Sequence, residues 1–318
     1  MLRNKIGNST VDVTELSFGA AGIGNLFTPV EPGDAVEAVN AAWESGIRYF
    51  DTAPHYGLGV SERRLGDALR GRPRAEYTIS TKVGRLLEPG PDEGDDLANG
   101  FAVPATHHRV WDFSADGIRR SIEDSLVRLG TDRIDIAYLH DPDDHADEAF
   151  RQGYPALERL RSEGVIGAIG AGMNQTAMLT RFLRDTDADV VLCAGRCTLL
   201  DRSALTGLLP EAQARGRSVV VGGVFNSGLL ADPRPGATYD YSAAPADVLG
   251  RALRMKAVCA RYGVPLRAAA LRFPHRHPAV ASVLVGTRSA AEVHDAAAML
   301  RVGIPEALWD ELDGLREG

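Results

Sequence analysis

Eight short apolar runs, each followed by a segment of helical periodicity, limit what this 318-residue chain can become. The runs lie near 15–19, 47–51, 78–83, 134–140, 168–172, 190–194, 218–222 and 280–285. Val219-Val220-Val221 is continuous rather than alternating, the pattern of a strand buried on both faces. Helical patterns follow near 34–44, 61–70, 114–129, 154–163, 175–185, 204–215 and 247–262, with further segments near 266–273, 289–299 and 305–316. Strand then helix, repeated about eight times, predicts an α/β fold: a closed (β/α)8 TIM barrel, with residues 1–318 as one domain. Turn residues from Asn4 to Asn8 add a short N-terminal hairpin, and the last segments add extra C-terminal helices. An open doubly wound sheet is the competing architecture, but its glycine fingerprint is missing. Gly22-Ile23-Gly24 runs into Asn25, Leu26, Phe27 and Pro29, which reads as a loop.

Three of the eight runs end in an ionisable group: Asp51 after Ile47–Phe50, Lys82 after Tyr77–Thr81, and His140 after Ile134–Leu139. An unpaired charge at the edge of an apolar core costs on the order of several kcal/mol, so three in succession point to groups that meet. In a barrel the C-terminal strand ends share one face, which makes the ends of strands two, three and four neighbours. Tyr56 stands one short loop beyond Asp51. Taken singly, Asp51 reads as a cap and Lys82 as a solvated strand end. Together they read as a working unit. A free tyrosine has a pKa of about 10; a nearby ammonium favours tyrosinate, and a carboxylate keeps that lysine charged. Such a unit suits a reaction in which an alkoxide forms or disappears, as when hydride moves between a carbonyl carbon and a nicotinamide ring. His55, beside Tyr56, reads as a loop histidine without a catalytic role.

The same face would gather three long connections, 84–113, 141–149 and 223–246. The first carries Pro89-Gly90-Pro91, an acidic run through Asp96, then Phe101, His107, His108, Trp111 and Phe113. Trp111 and Phe113 are candidates for the walls of a substrate pocket, the competing reading being apolar anchors for a long loop.

Several classes are disfavoured. A net charge of −8 without a clustered basic stretch argues against a nucleic-acid partner. No run approaches the roughly 18 apolar residues of a membrane span, and the N-terminus lacks the apolar core of a signal peptide, so a cytoplasmic protein is expected. Cys193, Cys197 and Cys259 are odd in number and read as small buried hydrophobes. His107-His108 and His275-Arg276-His277 lack zinc-site spacing, and no metal is expected.

The segments GIRYFDTAPHYGLGVSERRLG, ISTKVGR and SLVRLGTDRIDIAYLHDPD resemble the aldo-keto reductase family, and the order of strands extends the likeness over nearly the whole chain. DFS, YLHDPD and AGRCTLLD resemble its sugar and pyridoxal dehydrogenase branch. The resemblance implies an NAD(P)-dependent oxidoreductase acting on a small carbonyl or sugar. Tyr56 would be the general acid/base, Lys82 and Asp51 its tuning pair, and His140 the group that orients the substrate oxygen. It also implies a nicotinamide dinucleotide across the barrel mouth, its phosphates near Gly286, Thr287, Arg288 and Ser289. There the helix amides offer an anion site and Ser289 with Glu292 reads as a capping box.

Where relatives hold the carboxamide and stack on the ring, Asn174 and Phe225 are the candidates. Gly286 and Glu292 stand where NADP-preferring relatives carry basic residues. NAD is therefore expected, with Arg288 the group that would suit NADP. An NADPH-dependent carbonyl reductase, a Schiff-base lyase using Lys82, and a nucleotide-sensing barrel without turnover are the alternatives.

Overall fold

The computed structural model describes residues 1–90, 94–240 and 242–315; Pro91 and the expected helical residue 316 lie outside the described residues. Strands β1 (Arg3–Lys5) and β2 (Asp12–Thr14) form the expected antiparallel hairpin. The first units follow as β3 (Leu16–Gly19), α1 (Pro32–Glu44), β4 (Tyr49–Asp51), α2 (Val60–Leu69) and β5 (Thr78–Val83). Segment 84–113 is built of two small antiparallel pairs. β6 (Arg85–Pro89) pairs with β9 (His107–Trp111), and β7 (Asp95–Asp96) with β8 (Phe101–Pro104). Alternation resumes with α3 (Ala115–Leu129), β10 (Ile134–His140), the one-turn α4 (Ala146–Glu148), α5 (Tyr154–Ser162), β11 (Ile166–Met173), α6 (Thr176–Asp185), β12 (Val190–Ala194), α7 (Leu208–Ala214) and β13 (Ser218–Gly222). Strands β14 (Thr238–Tyr239) and β15 (Ser242–Ala243), helices α8 (Ala246–Arg261) and α9 (Leu266–Arg272), strand β16 (Val280–Gly286), and helices α10 (Ala290–Leu300) and α11 (Glu306–Gly314) complete the fold.

Eight parallel strands close into a barrel in the order β3-β4-β5-β10-β11-β12-β13-β16, sealed where Val283–Gly286 pairs with Leu16–Gly19. The predicted (β/α)8 barrel and all eight predicted strands are present. Tyr49, Ile136, Tyr138, Ala168, Val190, Val220 and Leu284 fill the barrel interior, and Ile6, Val11 and Val13 of the hairpin join that cluster. Burying each large apolar side chain contributes roughly 1.5–3 kcal/mol, which is why a hairpin carrying three of them is retained on the barrel. Helix α3 shows how local sequence sets the outer ring. Ser114 accepts from the Gly117 amide at its start, Gly130 ends it in the left-handed conformation, and Ile118, Ile122 and Leu129 face the core between. Among the described residues no helix is long and apolar enough to cross a membrane. The three cysteines are free and buried.

The long insertion begins at Gly84, with φ +98° and its α-carbon pressed against the buried Phe113 ring. A β-carbon there would lie 2.1 Å from Phe113 Cε1. Gly84→Ala is expected to lower stability by about 1–3 kcal/mol through strain and overpacking, read as a lower urea midpoint. An unchanged midpoint would show that Phe113 yields freely.

Candidate active site

Barrel register places the predicted side chains on one inner face. Asp51 is level with Ser80, Lys82 with Tyr138, and His140 with Gly172, each at the C-terminal end of its strand. Lys82 Nζ donates to Asp51 Oδ2 at 2.7 Å and to the Thr52 carbonyl at 3.0 Å. Asp51 is 1% exposed and Lys82 3%. Ser80 Oγ donates to Asp51 Oδ1, and Tyr49 OH bonds both Ser80 Oγ and Tyr138 OH, so a polar chain descends into the barrel beneath the ion pair. Burial alone would depress the Lys82 pKa, but Asp51 and Tyr56 outweigh it and raise the pKa above the ordinary lysine value. An ammonium held this way is a poor nucleophile, which argues against the Schiff-base reading.

Tyr56 is carried by a loop that only a glycine-rich sequence can make. Gly57 has φ +62°, and a β-carbon on it would fall 2.1 Å from the Gly24 carbonyl oxygen. The loop is tied to α2 by Thr52 Oγ1 and Ser61 Oγ, 2.8 Å apart, and Ser61 Oγ also donates to the Ala20 carbonyl. Lys82 Nζ lies 4.6 Å from the Tyr56 ring centroid. Lys82 pulls the phenol pKa down as expected, but burial is the larger effect and the net shift is upward. The phenol therefore carries its proton at neutral pH. His140 is also driven to its neutral form, first by burial and then by Arg85 and Lys82, which hold its pKa well below the ordinary value. Its Nδ1 is buried with no hydrogen-bond partner among the described residues.

Tyr56, Lys82 and His140 line a cleft of about 530 Å³ together with His55, Phe101, Asp141, Gly172, Met173, Asn174, Leu192 and Ala194. His55, read from the sequence as a loop histidine without a catalytic role, is part of this lining, its ring centroid 5.6 Å from that of His140 and 6.1 Å from that of Tyr56. Arg109 holds it in place from β9, and Asp96 in turn holds Arg109. Asp141 has φ +41°, pairs with Arg85, and stands 3.7 Å from His140 Nε2. Burial raises its pKa, with Arg85 opposing. Sequence reasoning missed Arg85, Asp96 and Arg109 as site-building residues, because a charge inside a long insertion carries no periodic signal.

Trp111 is 41% exposed, lies under the Arg85 guanidinium at 4.2 Å, and faces His145 with ring centroids 4.9 Å apart. It lines a side cleft of about 270 Å³ that shares Asp141 and Asn174 with the main one. Phe113 is a correction. It is fully buried against the outer core, so it anchors the insertion and presents no surface to a substrate. Among the described residues no cluster of three or more metal-ligating side chains occurs.

The profile of the aldo/keto reductase family matches residues 15–317. The chain belongs to the aldo/keto reductase family. D-threo-aldose 1-dehydrogenase of a Pseudomonas species is 46% identical over 306 residues, covering 94% of this chain and 93% of that one. Pyridoxal 4-dehydrogenase of Microbacterium luteolum is 41% identical over 330 residues, covering 98% and 96%. Among solved structures, an aldo-keto reductase of Bacillus halodurans in its holo form superposes with a TM-score of 0.78 at 28% identity, covering 99% of this chain and 96% of that chain. This aldo-keto reductase is an NAD(P)-dependent oxidoreductase.

The groups available for a nicotinamide cofactor lie around the same mouth. Asn174 Nδ2 donates to the Ala194 carbonyl at 3.0 Å, which fixes the amide and leaves its oxygen as an acceptor. Thr287 is buried and its Oγ1 has no partner among the described residues, an orphan of the kind that a bound ligand satisfies. Gly286 is exposed at the end of β16, and Ser289 caps α10 by accepting from the Glu292 amide at 3.3 Å. Glu292 reaches back to accept from the Arg288 amide at 2.8 Å, while the Arg288 guanidinium donates to Thr28 Oγ1 at 2.8 Å. These residues fit the group. Phe225 is partly buried, with one side packed against the outer core.

Proposed function

We propose that this aldo-keto reductase is an NAD-linked dehydrogenase that oxidises the anomeric carbon of an aldose, or the corresponding carbon of a pyridoxal-like aldehyde, with Asp51, Tyr56, Lys82 and His140 as its catalytic residues. The observation that carries the reading is the buried Asp51–Lys82 pair set beneath a protonated Tyr56 and a neutral His140 on one strand-end face. The names of the two similar dehydrogenases support the substrate class. Bound nicotinamide dinucleotide supplies the hydride acceptor in oxidation and the donor in reduction.

Tyr56 gives its phenolic proton to the oxygen in reduction and takes it back in oxidation. Lys82, held charged by Asp51, stabilises tyrosinate once the proton has left. Neutral His140 fixes the reacting oxygen by hydrogen bonding, and Trp111 offers an aromatic face at the side cleft for the remainder of a sugar or pyridine ring. Asn174, Gly286, Thr287, Arg288 and Ser289 would hold the cofactor.

Preference for NAD is supported by Glu292, whose carboxylate occupies the Arg288 amide at the start of α10, where a 2′-phosphate would bring further negative charge. Glu292→Gln is expected to lower the KM for NADP relative to NAD by about threefold to tenfold, the modest effect of one exposed charge. An unchanged ratio removes Glu292 from the discrimination. The whole reading is tested by fluorescence titration with NADH and NADPH in parallel, followed by a panel of aldoses and alcohols with the oxidised form of the tighter cofactor. NADH preference with sugar turnover supports it. NADPH preference turns it towards a carbonyl reductase, tight binding without turnover towards a nucleotide sensor, and binding of neither overturns it.

A further inference from the structure

The Arg109 guanidinium is committed on every edge. Its Nη1 and Nη2 donate to the two carboxylate oxygens of Asp96 at 2.8 and 2.6 Å, Nη2 also donates to the His55 carbonyl at 3.0 Å, and Nε donates to His55 Nδ1. The Arg109 side chain is 11% exposed and that of Asp96 5%, so this is a buried, forked pair rather than a solvated contact. Its effect on the imidazole is specific. A donor aimed at Nδ1 requires the lone pair there, and a neutral ring must then carry its proton on Nε2. Burial, Arg109, Arg85 and Lys82 all oppose protonation, and the His55 pKa falls to about 3. Phe101 packs edge-on against the ring at 5.3 Å between centroids, and among the described residues no group accepts a hydrogen bond from Nε2. A neutral N–H donor of fixed orientation is therefore left at the wall of the catalytic cleft.

We infer that His55 is a specificity-determining residue that donates from Nε2 to the hydroxyl on the carbon next to the reacting one, with Arg109 and Asp96 as its positioning residues. The inference rests on the site reading above, in which the reacting oxygen lies between Tyr56 and His140. The His55 ring flanks both, so it is placed for an oxygen on the neighbouring carbon rather than for the reacting oxygen itself. A site that presents a fixed donor favours the hydroxylated substrate over the analogue lacking that hydroxyl, because the analogue leaves the donor unpaired. The substrate class is therefore one with a hydroxyl on the carbon next to the reacting one: an aldose, whose C2 hydroxyl stands beside the anomeric carbon, in oxidation, and an α-hydroxy aldehyde in reduction.

The test measures reduction of glycolaldehyde and acetaldehyde, which differ by that one hydroxyl, with NADH or NADPH, whichever binds tighter. The ratio of their kcat/KM values is compared between the wild type, His55→Phe, His55→Asn and Arg109→Met. Each ratio is taken on one preparation, so partial unfolding cancels and the intrinsic reactivity of the two aldehydes drops out between variants. The expected result is a fall of about tenfold in the glycolaldehyde preference for His55→Phe, partial recovery with the amide donor of His55→Asn, and an intermediate loss for Arg109→Met, whose imidazole is free to take the other tautomer. Equal ratios in the wild type and His55→Phe overturn the inference while leaving the oxidoreductase reading intact. Reduction of neither aldehyde by wild-type protein that binds the cofactor overturns the substrate class, and the inference with it.

Discussion

Tyr56→Phe is expected to bind nicotinamide cofactor as the wild type does and to lose about 10²–10⁴-fold in kcat, the range that a positioned proton donor contributes. The ring remains and only the hydroxyl is removed, so the packing of the 52–59 loop against Gly24 is preserved. Near-normal turnover would exclude Tyr56 as the acid/base. The pH profiles carry a second signature. Because burial raises the phenol pKa, with Lys82 opposing, the acid needed for reduction is present throughout the neutral range. Oxidation needs the tyrosinate, so its rate rises into the alkaline range. Profiles of the same shape in both directions would contradict the assignment.

Lys82→Met carries the largest expected loss of stability, about 3–5 kcal/mol, together with the loss of activity. It leaves the Asp51 carboxyl 1% exposed without its cation and with Ser80 as its remaining side-chain donor. Removing both charges in Lys82→Met/Asp51→Asn should recover part of that stability without restoring turnover, since a buried pair is worth far less than the penalty of breaking it. Thermal unfolding of the two variants measures the difference. Equal unfolding temperatures for Lys82→Met and the wild type would mean that the carboxylate finds water or another cation. The sign of the pH dependence follows from the raised Lys82 pKa. The contribution from charged Lys82 is fully present below the unfolded lysine value of about 10.4 and is lost as pH rises through the higher folded value. Acidification through the histidine range should leave this contribution untouched.

The barrel was legible because short, largely apolar strand segments alternate with helical patterns, and Asp51, Lys82 and His140 were legible because each is an ionisable group at the C-terminal end of such a segment. Tyr56 needed the added information of a short loop after Asp51. Other parts of the same stretch proved structural: Ser61 ties the loop to Ala20, and Glu62 is buried between Thr81 and Arg128. A spelling that resembles a family thus mixes chemistry with scaffolding, and only contacts separate them. Phe113 could not be placed from sequence, because an aromatic near a strand points inward or outward according to backbone turns that composition does not encode. The meeting of His55, Arg109 and Asp96 was invisible for a different reason. They come from two separate connections and meet only after segment 84–113 has folded back on itself.

That folding back gives the molecule a division of labour. The insertion leaves the barrel at Gly84 and rejoins it at Phe113, with Arg85 and Trp111 paired across its base. Asp51, Tyr56, Lys82 and His140, the groups proposed for proton transfer, all stand on the barrel or on the loop after β4, whereas Arg85, Arg109 and Trp111 arrive on the insertion. The fold is in effect modular: a barrel chassis with a cassette set at its mouth. A cassette grafted between the same two junctions would change what lines the mouth while Asp51, Tyr56, Lys82 and His140 keep their places, provided it restores a cation where Arg85 now faces His140.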